Sequence, residues 1–275
     1  MNRIEILFLF HSLFYLFILL ASLLNAYNKY KPQSSIYSFS GITFGQLHGF
    51  AMIGKTYFIT DPVANRIYVF DENWNALSYQ SFSRPAYMLA INNTLYISGV
   101  YNVYIADKDL NTLNQYNAAD SPYYNGVYLN ATSYLLYIVS NGKSTIDIFN
   151  LNLNRVDTIS IAQYSNPYSI QGFNNNLYVG TYRGLILVIS NKIVIRTFNG
   201  CNSNCLANII TSIVFDQFGY MATTNDASVA NNAYLYDSNS LLIGSFSVPN
   251  YLCDMQFDSK GRLIFVSFNQ ITIYN

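Results

Sequence analysis

Four stretches of this sequence set a tyrosine one or two residues after a proline: Arg84-Pro85-Ala86-Tyr87, Ser121-Pro122-Tyr123-Tyr124, Asn166-Pro167-Tyr168 and Pro249-Asn250-Tyr251. A tyrosine on such a turn offers a broad apolar ring and a hydroxyl at small entropic cost, which suits the capture of sugars or peptides. Tyr87, Tyr123, Tyr124, Tyr168 and Tyr251 are therefore candidate ligand-binding residues, and Arg66 and Arg183 could add charge on the same face. The competing reading is that proline stiffens each turn and the ring packs inside the fold. The two readings differ in what alanine would do: lose a ligand, or lose stability.

Groups for catalysis are scarce. Glutamate occurs at positions 5 and 72 and histidine at 11 and 48, so no catalytic residue is assigned and composition disfavours an enzyme. A structural zinc site wants four ligands, and Asp107-Lys108-Asp109 lacks the glycine and closing glutamate of a calcium loop; no metal or cofactor is expected. Asp71, Asp107 and Asp237 recur at one position, and they, Asp216 and Asp258 read as turn residues whose carboxylates cap their own backbone. No glycine-rich phosphate cradle and no Gly-x-Ser-x-Gly elbow occurs. The formal net charge is zero and no basic run follows the opening segment, which excludes nucleic acid as a partner.

Residues 6–24 form an apolar run after Met1-Asn2-Arg3-Ile4-Glu5, so residues 1–26 read as a signal peptide cleaved after Ala26 or as an uncleaved membrane anchor, with 27–34 a linker. The remainder, expected to be monomeric, would then be secreted or lie on the extracellular face of a membrane. Asn92-Asn93-Thr94 and Asn130-Ala131-Thr132 are glycosylation sequons that fit this placement. Of the three cysteines, Cys201 and Cys205 could close a short loop, either could pair with Cys253, or all three could be buried thiols.

The elements that must position these residues repeat. Six apolar segments end in a polar turn residue at Asp71, Asp107, Asn150, Ser190, Asp237 and Asn275, spaced 36, 43, 40, 47 and 38 residues apart. A period near forty suits a four-stranded propeller blade. Second strands at 57–60, 95–98, 136–140, 177–181, 220–224 and 263–268 precede these segments, and innermost strands lie ahead of those. Outer strands number five, because the sixth repeat ends with the chain. Residues 35–40 alternate apolar and polar and can supply the missing strand beside residues 271–274. The expected fold is an all-β, six-bladed propeller over residues 35–275.

Thr60-Asp61-Pro62-Val63-Ala64-Asn65-Arg66-Ile67-Tyr68-Val69-Phe70-Asp71 resembles the NHL repeat, and Phe215-Asp216-Gln217-Phe218-Gly219 and Phe257-Asp258-Ser259-Lys260-Gly261 resemble that family's turn between the first two strands. The resemblance implies a propeller and a habit of binding proteins, nucleic acids or small ligands, and no single activity. The expected function is recognition of a glycan, peptide or protein partner through a tyrosine-rich face. A lyase or hydrolase of the streptogramin-lyase or lactonase type, and a purely structural surface protein, are the alternatives.

Overall fold

The computed structural model describes residues 32–120, 122–201, 208–216, 218–226, 232–248, 251–258 and 260–274. Six four-stranded antiparallel sheets, blades I to VI, follow one another along the chain. Their innermost strands are Phe50–Ile53, Pro85–Ile91, Tyr124–Asn130, Pro167–Phe173, Ile210–Phe215 and Leu252–Phe257. Each touches the next, and the last touches the first, so the blades close into a ring. Among the described residues no helix is long and apolar enough to cross a membrane, and the expected leader lies outside them.

The second and third strands of each blade read as near-continuous apolar runs because both their faces are covered. Hydrophobic clusters fill the seams between neighbouring blades: Phe58, Ile67, Leu95 and Ile97 between I and II, and Ile146, Ile148, Val179 and Leu187 between III and IV. The outer strands alternate with solvent instead, leaving Leu77, Leu113, Val156 and Ile193 exposed. Where inner strands approach most closely a side chain would not fit. A Cβ on Gly49 would lie 2.8 Å from the Ala86 carbonyl of the next blade.

One belt of hydroxyls runs around the ring near the ends of the second strands: Thr60, Ser98, Ser140, Thr181, Thr224 and Ser267, all fully buried. They stitch loop to strand and blade to blade. Thr60 accepts from the Gly49 amide at 2.7 Å and donates to the Ala86 carbonyl, Ser98 accepts from the Tyr87 amide, and Ser140 donates to the Pro122 carbonyl. Each such bond satisfies a polar group that burial would otherwise penalise.

The recurrent acidic turns behave as their sequence suggests. Asp71 accepts from the amides of Asn73 and Asn75, Asp107 from Asp109 and Asn111, Asp237 from Asn239 and Leu241, and Asn150 does the same with Asn152 and Asn154. Asp216 and Asp258 repeat the pattern in the first turns of blades V and VI.

Closure is made by the amino-terminal segment, four residues earlier at its far end than the alternation predicts. Strand Pro32–Ile36 pairs antiparallel with Gln270–Tyr274, placing Ile36 opposite Ile271 and Ser35 opposite Thr272. The strand thus begins inside the stretch expected as linker. Ser38–Phe39 instead folds back on Ile42–Thr43, because Ser40 and Gly41 take left-handed backbone and form a tight turn. That hairpin drops Phe39 into the seam between blades VI and I, where its ring lies 5.0 Å from Tyr68 and 5.2 Å from Phe70. On the opposite rim the Arg262 guanidinium binds Asp258 at 2.6 Å and the Glu72 carbonyl at 3.0 Å, latching blade VI to blade I a second time.

Candidate functional site at the mouth of the channel

The loops entering the innermost strands and the turns leaving the second strands meet on one face of the ring, and six aromatic rings run across it in a continuous arc. Tyr251 stacks on Phe268 at 5.3 Å and Phe268 on His48 at 5.9 Å, their planes nearly parallel. His48 then meets Tyr87 at 6.1 Å, Tyr87 meets Tyr168 edge-to-face at 5.8 Å, and Tyr168 meets Tyr182 at 5.4 Å. The arc therefore crosses from blade VI through blades I and II to blade IV.

Its centre is a plug. Tyr87 is buried, and its hydroxyl reaches across the ring to lie 3.1 Å from the Thr211 carbonyl and 3.0 Å from the Cys253 carbonyl, donating its one proton to either. Tyr168 is buried beside it. Burial pushes both phenols well above their usual range, so they stay neutral hydrogen-bonding groups. The two ends of the arc differ: Tyr251 is 43% exposed and Tyr182 37%. A ligand would meet the ends and rest on the plug.

The same position predicts that Tyr87→Phe keeps the ring and lowers stability by about 1 kcal/mol, while Tyr87→Ala opens a cavity and lowers it by about 3–5 kcal/mol. Urea unfolding of the two variants checks this ratio. Equal, small losses would mean that Tyr87 does not hold the ring together.

His48 is the polar group of the arc. Its amide donates to the Thr60 carbonyl at 3.0 Å, and the preceding Leu47 amide donates to the Phe268 carbonyl at 2.8 Å, so blades I and VI both fix the loop. The residue is partly open to solvent, yet Nδ1 is buried and has no hydrogen-bond partner among the described residues. Burial lowers the imidazole to about 4 against an opposing pull from Asp61, which leaves it neutral at pH 7. An unpartnered buried nitrogen costs about 1–3 kcal/mol that a bound ligand could recover. Trp74 Nε1 shares the condition but lies in a seam, out of reach.

Two carboxylates complete the surroundings. Asp226, half-buried, accepts from the Ile209 amide at 2.9 Å, and burial raises its pKa above that of an ordinary carboxylate. Asp254 is deeply buried and holds three blades at once: it accepts from the Phe50 amide of blade I at 3.0 Å, the Ser212 hydroxyl of blade V at 3.0 Å, and its neighbour Met255 at 2.8 Å. Burial raises it to about 6, against those donors. Cys253 is a free buried thiol that burial pushes up and keeps inert. Cys201 is disulfide-bonded; its expected partner Cys205 lies outside the described residues.

The candidates drawn from the proline loops thus separate. Tyr87, Tyr168 and Tyr251 come together in the arc. Tyr124 is corrected: it is fully buried in the seam between blades II and III, donating its hydroxyl to Asp147 at 2.8 Å, where no ligand reaches it. Tyr123, one residue earlier, is 44% exposed and pairs with Tyr101 at 6.0 Å. Arg66 lies against the outer strand with its guanidinium 4.6 Å above the Tyr79 ring, and Arg183 is exposed next to Tyr182. Asn92 and Asn130 sit on turns of the opposite face.

Phe268, Tyr182 and His48 are the arc members that the proline-tyrosine pattern does not select. A signal for two of them exists in the chain. Both Tyr182 and Phe268 directly follow the belt residue that ends a second strand, Thr181 and Ser267, the position Asp61 holds in blade I. In blade I that residue is structural: Asp61 accepts from the amides of Gly45, Gln46 and Ala64.

No family model matches the chain and no curated protein is similar to it in sequence. Among solved structures the chain is similar to one titled "Streptogramin B lyase structure", with a TM-score of 0.65, 10% identity, and coverage of 88% of this chain and 97% of that one. At that identity the likeness shows the propeller fold.

Proposed function

We propose that the chain is a lyase- or hydrolase-type propeller that seats a small ligand on the aromatic arc and uses His48 as its proton acceptor. The observation that carries this reading is the neutral, half-buried His48 held between Phe268 and Tyr87 at the mouth. A neutral imidazole is in the protonation state that a base needs. The similar structure is titled as a lyase, which supports the same reading. Asp226, whose pKa burial raises, is the candidate to return a proton.

A second reading, capture without chemistry, is favoured by the exposed Tyr251 stacked on Phe268. It corresponds to a recognition propeller for a glycan, peptide or protein. In either reading we take the chain to be NHL-like and extracytoplasmic, supported by the Asp61 turn and by Asn92 on an exposed turn.

The test is a panel of lactones, cyclic esters and unsaturated-product assays run on the full chain from pH 4 to 9, followed by His48→Gln on whichever substrate turns over. The expected result is a loss of about 100-fold or more in kcat, the scale of general-base catalysis, with binding little changed. Full activity in His48→Gln would overturn the proposal. Binding without turnover in the unaltered chain, lost in Tyr251→Ala at an unchanged melting temperature, would select the second reading.

A further inference from the structure

On the face opposite the mouth a groove of about 670 Å³ opens between blades III and IV. Its size is that of a small-molecule site. The rings of Tyr128 and Tyr137 lie 6.2 Å apart and tilted, and Asn174, Asn175, Asn176 and Asn191 line the groove with them. We infer that this groove binds a neutral saccharide.

The turn geometry explains only part of the asparagine cluster. Asn174, Asn175 and Asn191 have left-handed backbone, φ 47°, 61° and 48°, where glycine would serve equally well. Asn176 lies in strand Asn176–Thr181, opposite Phe173, with no such requirement. None of the four side-chain amides is bonded to another described group. Each amide offers a donor beside an acceptor, the pattern that vicinal hydroxyls match, and tyrosine rings receive the C–H face of a sugar.

Charge argues against other ligands. The cation at the rim, Lys192, is already paired with Asp157, so an anionic ligand finds no free positive group there. Tyr128 and Tyr137 pack on the core between the two blades and are half-buried, leaving part of each ring open to the groove. A Cβ on Gly172 would lie 2.1 Å from Tyr128 Cζ, so the glycine lets that ring lie flat across the seam. Asn130 Oδ1 accepts from the amides of Thr132 and Ser133 at the groove's edge, and a glycan attached there would fill the groove. Attachment at Asn130 and saccharide binding therefore exclude one another.

Isothermal titration of the full, unglycosylated chain with chitotriose, maltotriose, cellotriose and mannotriose tests the assignment. At least one should bind at one per chain, and the triple variant Asn174→Gly, Asn175→Gly, Asn191→Gly should weaken it about tenfold or more, the scale for losing two or three polar contacts. Because glycine accepts the same backbone, the melting temperature should hold. Absence of binding by all four sugars, unchanged affinity in the triple variant, or loss of binding in Tyr251→Ala on the far face would each overturn it.

Discussion

As the pH rises from 4 to 6 the stability of the native chain should change little, while His48→Gln should lose stability and Asp254→Asn should gain it, each by about 2 kcal/mol. The cause is two buried groups of opposite sense. His48 falls from 6.5 to about 4, so over that interval the unfolded chain binds a proton that the folded chain refuses, and stability rises with pH. Asp254 rises from 3.8 to about 6, so the folded chain holds a proton that the unfolded chain has released, and stability falls with pH. The two slopes oppose each other when both groups are present, and Asp226, also raised by burial, adds a falling slope common to all three proteins. Removing the histidine leaves the falling limb, and removing the acid leaves the rising one. Carboxylates such as Asp71, Asp107 and Asp258, which their turn amides or Arg262 hold low, act mainly below pH 4 and are common to all three proteins. Urea midpoints of the three at half-unit intervals from pH 4 to 7 check the crossing; three parallel curves would show that neither group is buried as described.

The second large effect concerns closure. A chain beginning at Gly41 should be less stable than one beginning at Pro32 by about 4 kcal/mol or more, a large share of the 5–15 kcal/mol typical of a domain. Loss of the buried Phe39 ring alone accounts for about 3–5 kcal/mol. The backbone bonds of Pro32–Ile36 to Gln270–Tyr274 add to this, partly offset by the entropy of ordering that strand. The shorter chain also bares the edge of Gln270–Tyr274, so it should self-associate at concentrations where the longer one is monodisperse. Equal urea midpoints and equal sedimentation for the two chains would show that the amino-terminal strand does not close the ring.

Both experiments act where blades meet, and that is where sequence reading was strongest and weakest. The strand succession was legible because each blade needs only local order: an apolar run, a turn with Asp or Asn, another run. The Asx turns at Asp71, Asp107 and Asp237 could be read for the same reason, since a carboxylate two and four residues from the amides it accepts from needs no distant partner. Closure was legible in kind, because five outer strands for six blades demand a donor. Its register was not, since the Ser40-Gly41 turn competes with strand for the residues just before it.

Tyr123 and Tyr124 show where local reading stops. They are adjacent and share one proline, but Tyr123 lies in the loop with left-handed backbone, φ 48°, and Tyr124 opens the strand, so one ring reaches solvent and the other enters a seam to meet Asp147. The sequence by itself determined the number of blades, the strands within them, the capping of their turns and the need for an amino-terminal closing strand. Only the tertiary structure decided that Tyr87 plugs the ring, that His48 lies between Phe268 and Tyr87, and that Asp254 holds three blades. Those contacts join residues as far as 220 positions apart, and their distances follow from how the blades fan around the axis, a geometry that no periodicity within one blade contains.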